Sequence, residues 1–103
     1  MKIIEMLSEK ISEEISDAES YVKMALAERE EYPDLARVLY GISLEEMGHA
    51  NKIHDAAVEI INEYREKNGD PPAGMKAVYD YLHKKQIDAA AAVKAMQAMY
   101  KEG

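Results

Sequence analysis

The stretch Ile42-Ser43-Leu44-Glu45-Glu46-Met47-Gly48-His49-Ala50 lies in the middle of the longest helix the sequence predicts, Leu35 to Glu66, and carries a Glu-x-x-His set, Glu46 and His49. Both polar side chains fall where the helical period calls for apolar ones. Leu35, Ile42, His49 and Ala56 recur every seven residues, as do Leu39, Glu46, Ile53 and Ile60. Neighbouring series of that spacing form one stripe on a helix, expected to be buried. A carboxylate and an imidazole on a buried stripe lose their hydration, which is costly unless each finds a partner. On adjacent turns of one helix, the two suit a metal ion.

The preceding segment, about Ile3 to Glu30, repeats the pattern as a helix. Its apolar positions Ile4, Leu7, Ile11, Ala18, Val22 and Ala25 keep a heptad-like beat. Steps of seven from Leu7 meet Glu14 and then Tyr21, so Glu14 stands inside that stripe. The acidic run Glu28 to Glu31 closes this helix and Tyr32-Pro33-Asp34 opens the next. Pro33 suits a first helical turn and Asp34 the positive end of the helix dipole. So short a connection predicts an antiparallel hairpin over residues 1–68. With equal rise on both arms, a reversal at Tyr32 sets Glu14 level with about position 50. Glu46 and His49 stand close to that height, so the three polar interruptions of the two stripes share one layer.

Asn68-Gly69-Asp70-Pro71-Pro72 stops the long helix. Residues 69–103 are expected to form a smaller helical extension. A short helix from Met75 to Lys84 turns Met75, Val78, Tyr79 and Leu82 inward. Asp88, preceded by Ile87, then caps a last helix from Ala89 to about Lys101 that presents Val93, Met96 and Tyr100. The expected architecture is all-α, a long hairpin plus two short C-terminal helices in one domain of 103 residues. That length is near the lower end of what one core stabilises alone, so association with further copies would help.

Apolar residues make up 48% of the chain without any Phe or Trp, which favours slim helices packed through Ala, Met, Ile, Leu and Tyr. A net charge of −7 with no basic patch speaks against nucleic acid and is compatible with attracting cations. The absence of cysteine excludes disulfides, thiolate ligands and a cysteine nucleophile. Met1 to Leu7 lacks the apolar core of a signal peptide, and nothing downstream approaches a membrane span, so a cytoplasmic location without membrane partners is expected. Ser8, Ser12, Ser16, Ser20 and Ser43 have no His and Asp arrangement that would support nucleophilic hydrolysis.

Taken singly, these residues have plainer readings. His49 alone reads as a core imidazole bonded to a carboxylate, and Glu14 alone as a polar residue fixing the register of a helical dimer. The shared layer favours a metal instead. His54, five residues after His49, is expected at the surface, and Asp80 with His83 as a solvated pair. Glu45, Asp17 and Glu19 read as solubilising acids or outer partners of the layer. The methionines Met47, Met75, Met96 and Met99 read as core filler. Gly41 and Gly48, each disfavoured in a helix by about 1 kcal/mol relative to Ala, mark a close helix crossing.

From Glu14 to Asn62 the chain resembles the first helix pair of the ferritin-like superfamily. There a Glu precedes a Tyr by seven residues, as Glu14 precedes Tyr21, and a Glu-x-x-His follows on the next helix, as Glu46 follows Glu14 by 32 residues. Tyr32 to Arg37 and Ile42 to Ala50 are especially similar to the rubrerythrin-type branch. The resemblance implies Glu46 as a bridging carboxylate, Glu14 and His49 as terminal ligands, and Tyr21 as an electron donor or hydrogen-bond partner beside them. It further implies a di-iron centre with ferroxidase or peroxidase-like activity. By ligand type, carboxylates with imidazole and no thiolate favour iron or manganese and also accept zinc.

A complete bundle of that kind takes a Glu from each of two helices and a Glu-x-x-His from each of two others. This chain holds half the set, the nearest further candidate being Asp80-Tyr81-Leu82-His83. Two copies about a two-fold axis complete it, so a homodimer or larger even-numbered homo-oligomer is expected. The half-length encapsulated ferritins are similar in size, although Ala98 to Gly103 shows none of their cargo-targeting tail. The alternative function class is a non-catalytic helical dimer or adaptor whose polar layer holds no redox metal.

Overall fold

The computed structural model describes residues 1–103 and is all-helical: α1 spans Lys2–Glu28, α2 Pro33–Asn68 and α3 Ala73–Glu102, with no strand. Neither Gly nor Pro interrupts α1. Pro33 opens α2, Asp34 follows in its first turn, and Arg37 Nη2 donates to Asp34 Oδ1 at 2.6 Å. Gly69 closes α2 with φ of 77°, the left-handed conformation that suits glycine, while its N–H donates to the Arg65 carbonyl at 2.9 Å. The 36 residues of α2 account for the 55 Å long axis of a molecule 19 × 18 Å in section. No helix is long and apolar enough to cross a membrane.

The C-terminal region differs from the sequence expectation of two short helices. Residues Ala73–Glu102 form one unbroken helix, and Asp88 is an exposed position within it rather than a cap. Between Gly74 and Gly103 there is neither Gly nor Pro. A lone Asp can cap a helix, but with good helix formers on both sides it does not end one.

Contacts fix the relative directions of the helices. Ala25 packs with Ala36 and Leu39, Ser43 Oγ donates to the Ala18 carbonyl, and His49 lies beside Glu14, so positions rise along α2 as they fall along α1. Along α3, Tyr79 accepts from the Met1 ammonium, Gln86 Nε2 donates to Ser8, and Met99 accepts from Arg29, all in α1 order. Against α2 the order is reversed: Tyr100 stacks on Tyr40, Gln97 donates to Ser43, and His83 meets His54. α3 therefore runs parallel to α1 and antiparallel to α2.

The core is built largely from small residues. Ile11, Ile15, Ala18, Met47, Ala50 and Val93 form its main cluster, with Ala25, Ala36 and Leu39 a second one toward the α1–α2 connection. Alanines at the contacts let the helix backbones approach closely. On α2 the buried series is Ala36, Ser43, Ala50 and Ala57, again seven apart, together with Leu39 and Met47. This corrects the single buried stripe expected for α2, of which only Leu39 is buried. Leu35, His49 and Ala56 are exposed and Ile42, Glu46, Ile53 and Ile60 half-buried, a band rotated by roughly a quarter turn from the true core. α3 covers one side of the groove between α1 and α2, through Ser8, Ser12 and Tyr40. The band containing Glu46 and His49 borders the other side.

Gly41 and Gly48 approach nothing within the chain, because a Cβ at either would meet no atom within 4 Å. Gly48→Ala is therefore expected to stabilise the isolated chain by up to about 1 kcal/mol through helix propensity. Chemical denaturation measures this. A stability gain in dilute monomer that vanishes in the assembled protein would place a second copy against Gly48.

Candidate metal centre

Glu14, Glu46 and His49 come together as the sequence placed them. Each offers a ligand atom, and those atoms all lie within 4.8 Å of one another. His49 Nδ1 is 3.5 Å from Glu14 Oε2 and 3.9 Å from Glu46 Oε2. α1 supplies the first carboxylate and adjacent turns of α2 the other two groups. The cluster is semi-open: the side chains of Glu14 and Glu46 are 22% and 20% exposed, whereas that of His49 is 53% exposed. No residue of α3 contributes.

Electrostatically the cluster is short of positive charge. Glu14 Oε2 is buried and accepts no hydrogen bond. The Glu46 carboxyl is held above the ordinary carboxylate range chiefly by the Glu14 carboxylate, which can accept a hydrogen bond from the protonated form, then by burial and by the Glu14 charge, with His49 opposing. One proton between the two carboxylates relieves their repulsion, and a cation between them would do the same. Three converging ligand atoms of O, O and N type and an orphaned buried oxygen fit a transition ion.

The sign of the pH response follows. A carboxyl whose folded pKa is raised adds stability below its unfolded value, and that contribution is lost as pH rises through the folded value. In chelator-treated protein, the stability of wild type relative to Glu46→Gln should thus fall as pH rises above the ordinary carboxylate range. Metal affinity should rise over the same interval, because the ion replaces the proton. Denaturant titrations and metal titrations from pH 4.5, the ordinary value for this carboxyl, to neutrality check both slopes. A flat difference would mean that the carboxylates do not share a proton.

Tyr21, the expected electron donor, is half-buried and packs against the Ala25, Ala36 and Leu39 cluster with Tyr40 and Tyr100. It lies two turns from Glu14, about 10 Å along the axis of α1. His54, expected at the surface, has a side chain 40% exposed, and its Nε2 lies 3.2 Å from Nε2 of His83 on α3, a pairing the sequence did not suggest; Asp80 does not join the metal-ligand cluster. Sequence reasoning also missed the buried pair of Ser43 and Gln97, where Gln97 Nε2 donates to Ser43 Oγ at 3.0 Å. The seven-residue series through Ala36, Ser43, Ala50 and Ala57 carried the signal for Ser43. No protein-family profile, curated protein or solved structure matches the chain.

Proposed function

We propose that this chain is one half of a ferritin-like four-helix bundle, and that two copies assemble their Glu14, Glu46 and His49 groups into a di-iron site that oxidises Fe(II). The observation that carries this reading is the cluster itself: three ligand atoms within 4.8 Å on the side of the α1–α2 groove that α3 leaves open. The antiparallel order of the α1 and α2 contacts supports reading them as the hairpin of that half-bundle. The chain's own third helix covers one side of that hairpin, so a second copy has the other side to pack on. The half-exposed apolar band of Leu35, Ile42, Ile53 and Ile60 around the cluster supports such a contact, since a symmetric interface buries the same patch on both subunits.

In this reading Glu14, Glu46 and His49 of both copies would hold the iron, which would supply the electrons that reduce dioxygen or peroxide. The chain's residues do the rest. Glu14 and Glu46 set the charge that draws a divalent substrate ion, and burial against the partner excludes bulk water from the layer. His49 turns Nδ1 toward both carboxylates. Tyr21, two turns along α1 from Glu14 and packed against Ala25, Ala36 and Leu39, would in this reading donate an electron or a hydrogen bond. Manganese or zinc would be held by the same ligands.

The test is metal per chain together with mass in solution, for protein purified without chelator and then stripped. About one transition ion per chain in an even-numbered assembly, with Fe(II) oxidation under oxygen, is the expected result. An assembly that holds no metal and keeps its mass under chelator would favour the adaptor alternative, in which the carboxylate pair shares a proton and sets the register of two helical copies.

A further inference from the structure

We propose that His54 and His83 form a second metal site, a clamp between α2 and α3 that takes one borderline divalent ion of the zinc class. The two imidazoles come from different helices and meet through their Nε2 atoms at 3.2 Å, with ring planes 19° apart. Two nitrogens bound to one tetrahedral zinc at about 2.05 Å stand roughly 3.3 Å apart. The nitrogens therefore already have the spacing of a ligand pair, and rotation of the two rings would aim both lone pairs at a shared ion.

The outer partner is also present. Asp55 Oδ1 lies 3.7 Å from His54 Nδ1 on the far side of that ring. A carboxylate there favours the tautomer with the proton on Nδ1, leaving Nε2 bare, which is how a ligating histidine is normally oriented. Without an ion, the two Nε2 atoms share one hydrogen bond, and the Asp55 carboxylate near His54 Nδ1 favours His83 as its donor. Binding moves the His83 proton to Nδ1, so two neutral imidazoles take the ion and solvent fills the remaining positions. Imidazole donors without thiolate suit zinc, copper or nickel.

The position of the clamp gives it a structural consequence. The buried residues of α3, Val93 and Gln97, both lie in its second half. The first half, from Ala73 to Asp88, is held by half-buried Tyr79, Leu82 and Gln86 and leaves Val78, Tyr81 and Ile87 exposed. His54 and His83 also line a cavity of about 240 Å³ beneath that half, walled by Ile4, Ile61 and Tyr79. An ion that binds only when both helices are docked stabilises the docked state. Zinc is thus expected to fasten the loosest part of the chain independently of the Glu14 cluster.

The test uses the full chain carrying Glu46→Ala, which disables the other centre, with zinc chloride as the probe. Calorimetric titration should find one zinc per chain, lost on adding His54→Ala or His83→Ala and weakened about 10-fold or more by Asp55→Asn. Hydrogen exchange in residues 73–88 should slow with zinc, and only when both histidines are present. Circular dichroism confirms that the variants remain helical. Equal zinc binding in the presence and absence of His83, or no binding in the Glu46→Ala chain, would overturn the proposal. Neither result bears on iron at the first centre.

Discussion

Glu46→Ala is expected to lose the transition metal of the Glu14, Glu46 and His49 layer, and with it any assembly that depends on the metal, while the stripped chain melts no lower than wild type. Three groups converge in one chain, and Glu46 is the carboxylate proposed to be shared between two ions. Removing it leaves one carboxylate and one half-exposed imidazole, which should weaken affinity by at least about 100-fold, more than the loss of an outer partner does. The stability effect runs the other way. Glu46 is the carboxyl that the fold holds above its ordinary range, chiefly through Glu14. Near neutral pH its ionisation therefore opposes folding of the metal-free chain. Alanine removes that opposition and is the best helix former. Elemental analysis, light scattering and melting under chelator separate these effects. A variant that keeps its metal places the ion elsewhere. A variant that loses stability with its metal already removed shows that Glu46 is a packing element of the apo fold.

Ser43→Ala is expected to cost about 1–3 kcal/mol, because it leaves the buried Gln97 amide without its acceptor. Ser43 is fully buried; its Oγ donates to the Ala18 carbonyl at 2.7 Å and accepts from Gln97 Nε2 at 3.0 Å, so one hydroxyl ties all three helices. For a chain of this size the loss corresponds to a fall in melting temperature of roughly 5–20 °C. The Ala18 carbonyl remains inside α1, so the orphaned group is the amide. Adding Gln97→Leu removes that amide and should recover much of the loss, since replacing both partners by apolar groups is nearly neutral. A double-mutant cycle followed by thermal melting gives the coupling. Additive effects would show that Ser43 acts through α1 alone. Because Ser43 lies one turn before Glu46, Ser43→Ala should also loosen the metal layer, seen as weaker binding in the same titrations.

Much of this layout could be read in the residues. The Pro33 start, the Gly69 stop and the Pro pair beyond it are local chemistry, and the helix boundaries follow them closely. The juxtaposition of Glu14 with Glu46 and His49 follows from a short connection and a constant rise per residue, quantities that need no tertiary knowledge. The continuity of α3 was equally local. Asp88 drew the eye as a cap, although nothing between Gly74 and Gly103 breaks a helix.

The face that each helix buries is a different kind of fact. On α2 the larger side chains Leu35, Ile42, Ile53 and Ile60 suggested one stripe with Leu39, while the chain buries the smaller Ala36, Ser43, Ala50 and Ala57 together with Leu39 and Met47. Hydrophobic periodicity counts apolar residues, but a close helix contact selects small ones, and only the docked α3 shows which band it covers. His54 met His83 for the same reason. Their separation of 29 residues carries no signal until the third helix runs antiparallel to the second. The sequence by itself determined α1 and α2, their ends and the height at which the three ligands meet. The tertiary structure decided which sides of those helices are closed, because that depends on where α3 packs, and so left the Glu14, Glu46 and His49 layer on the open side.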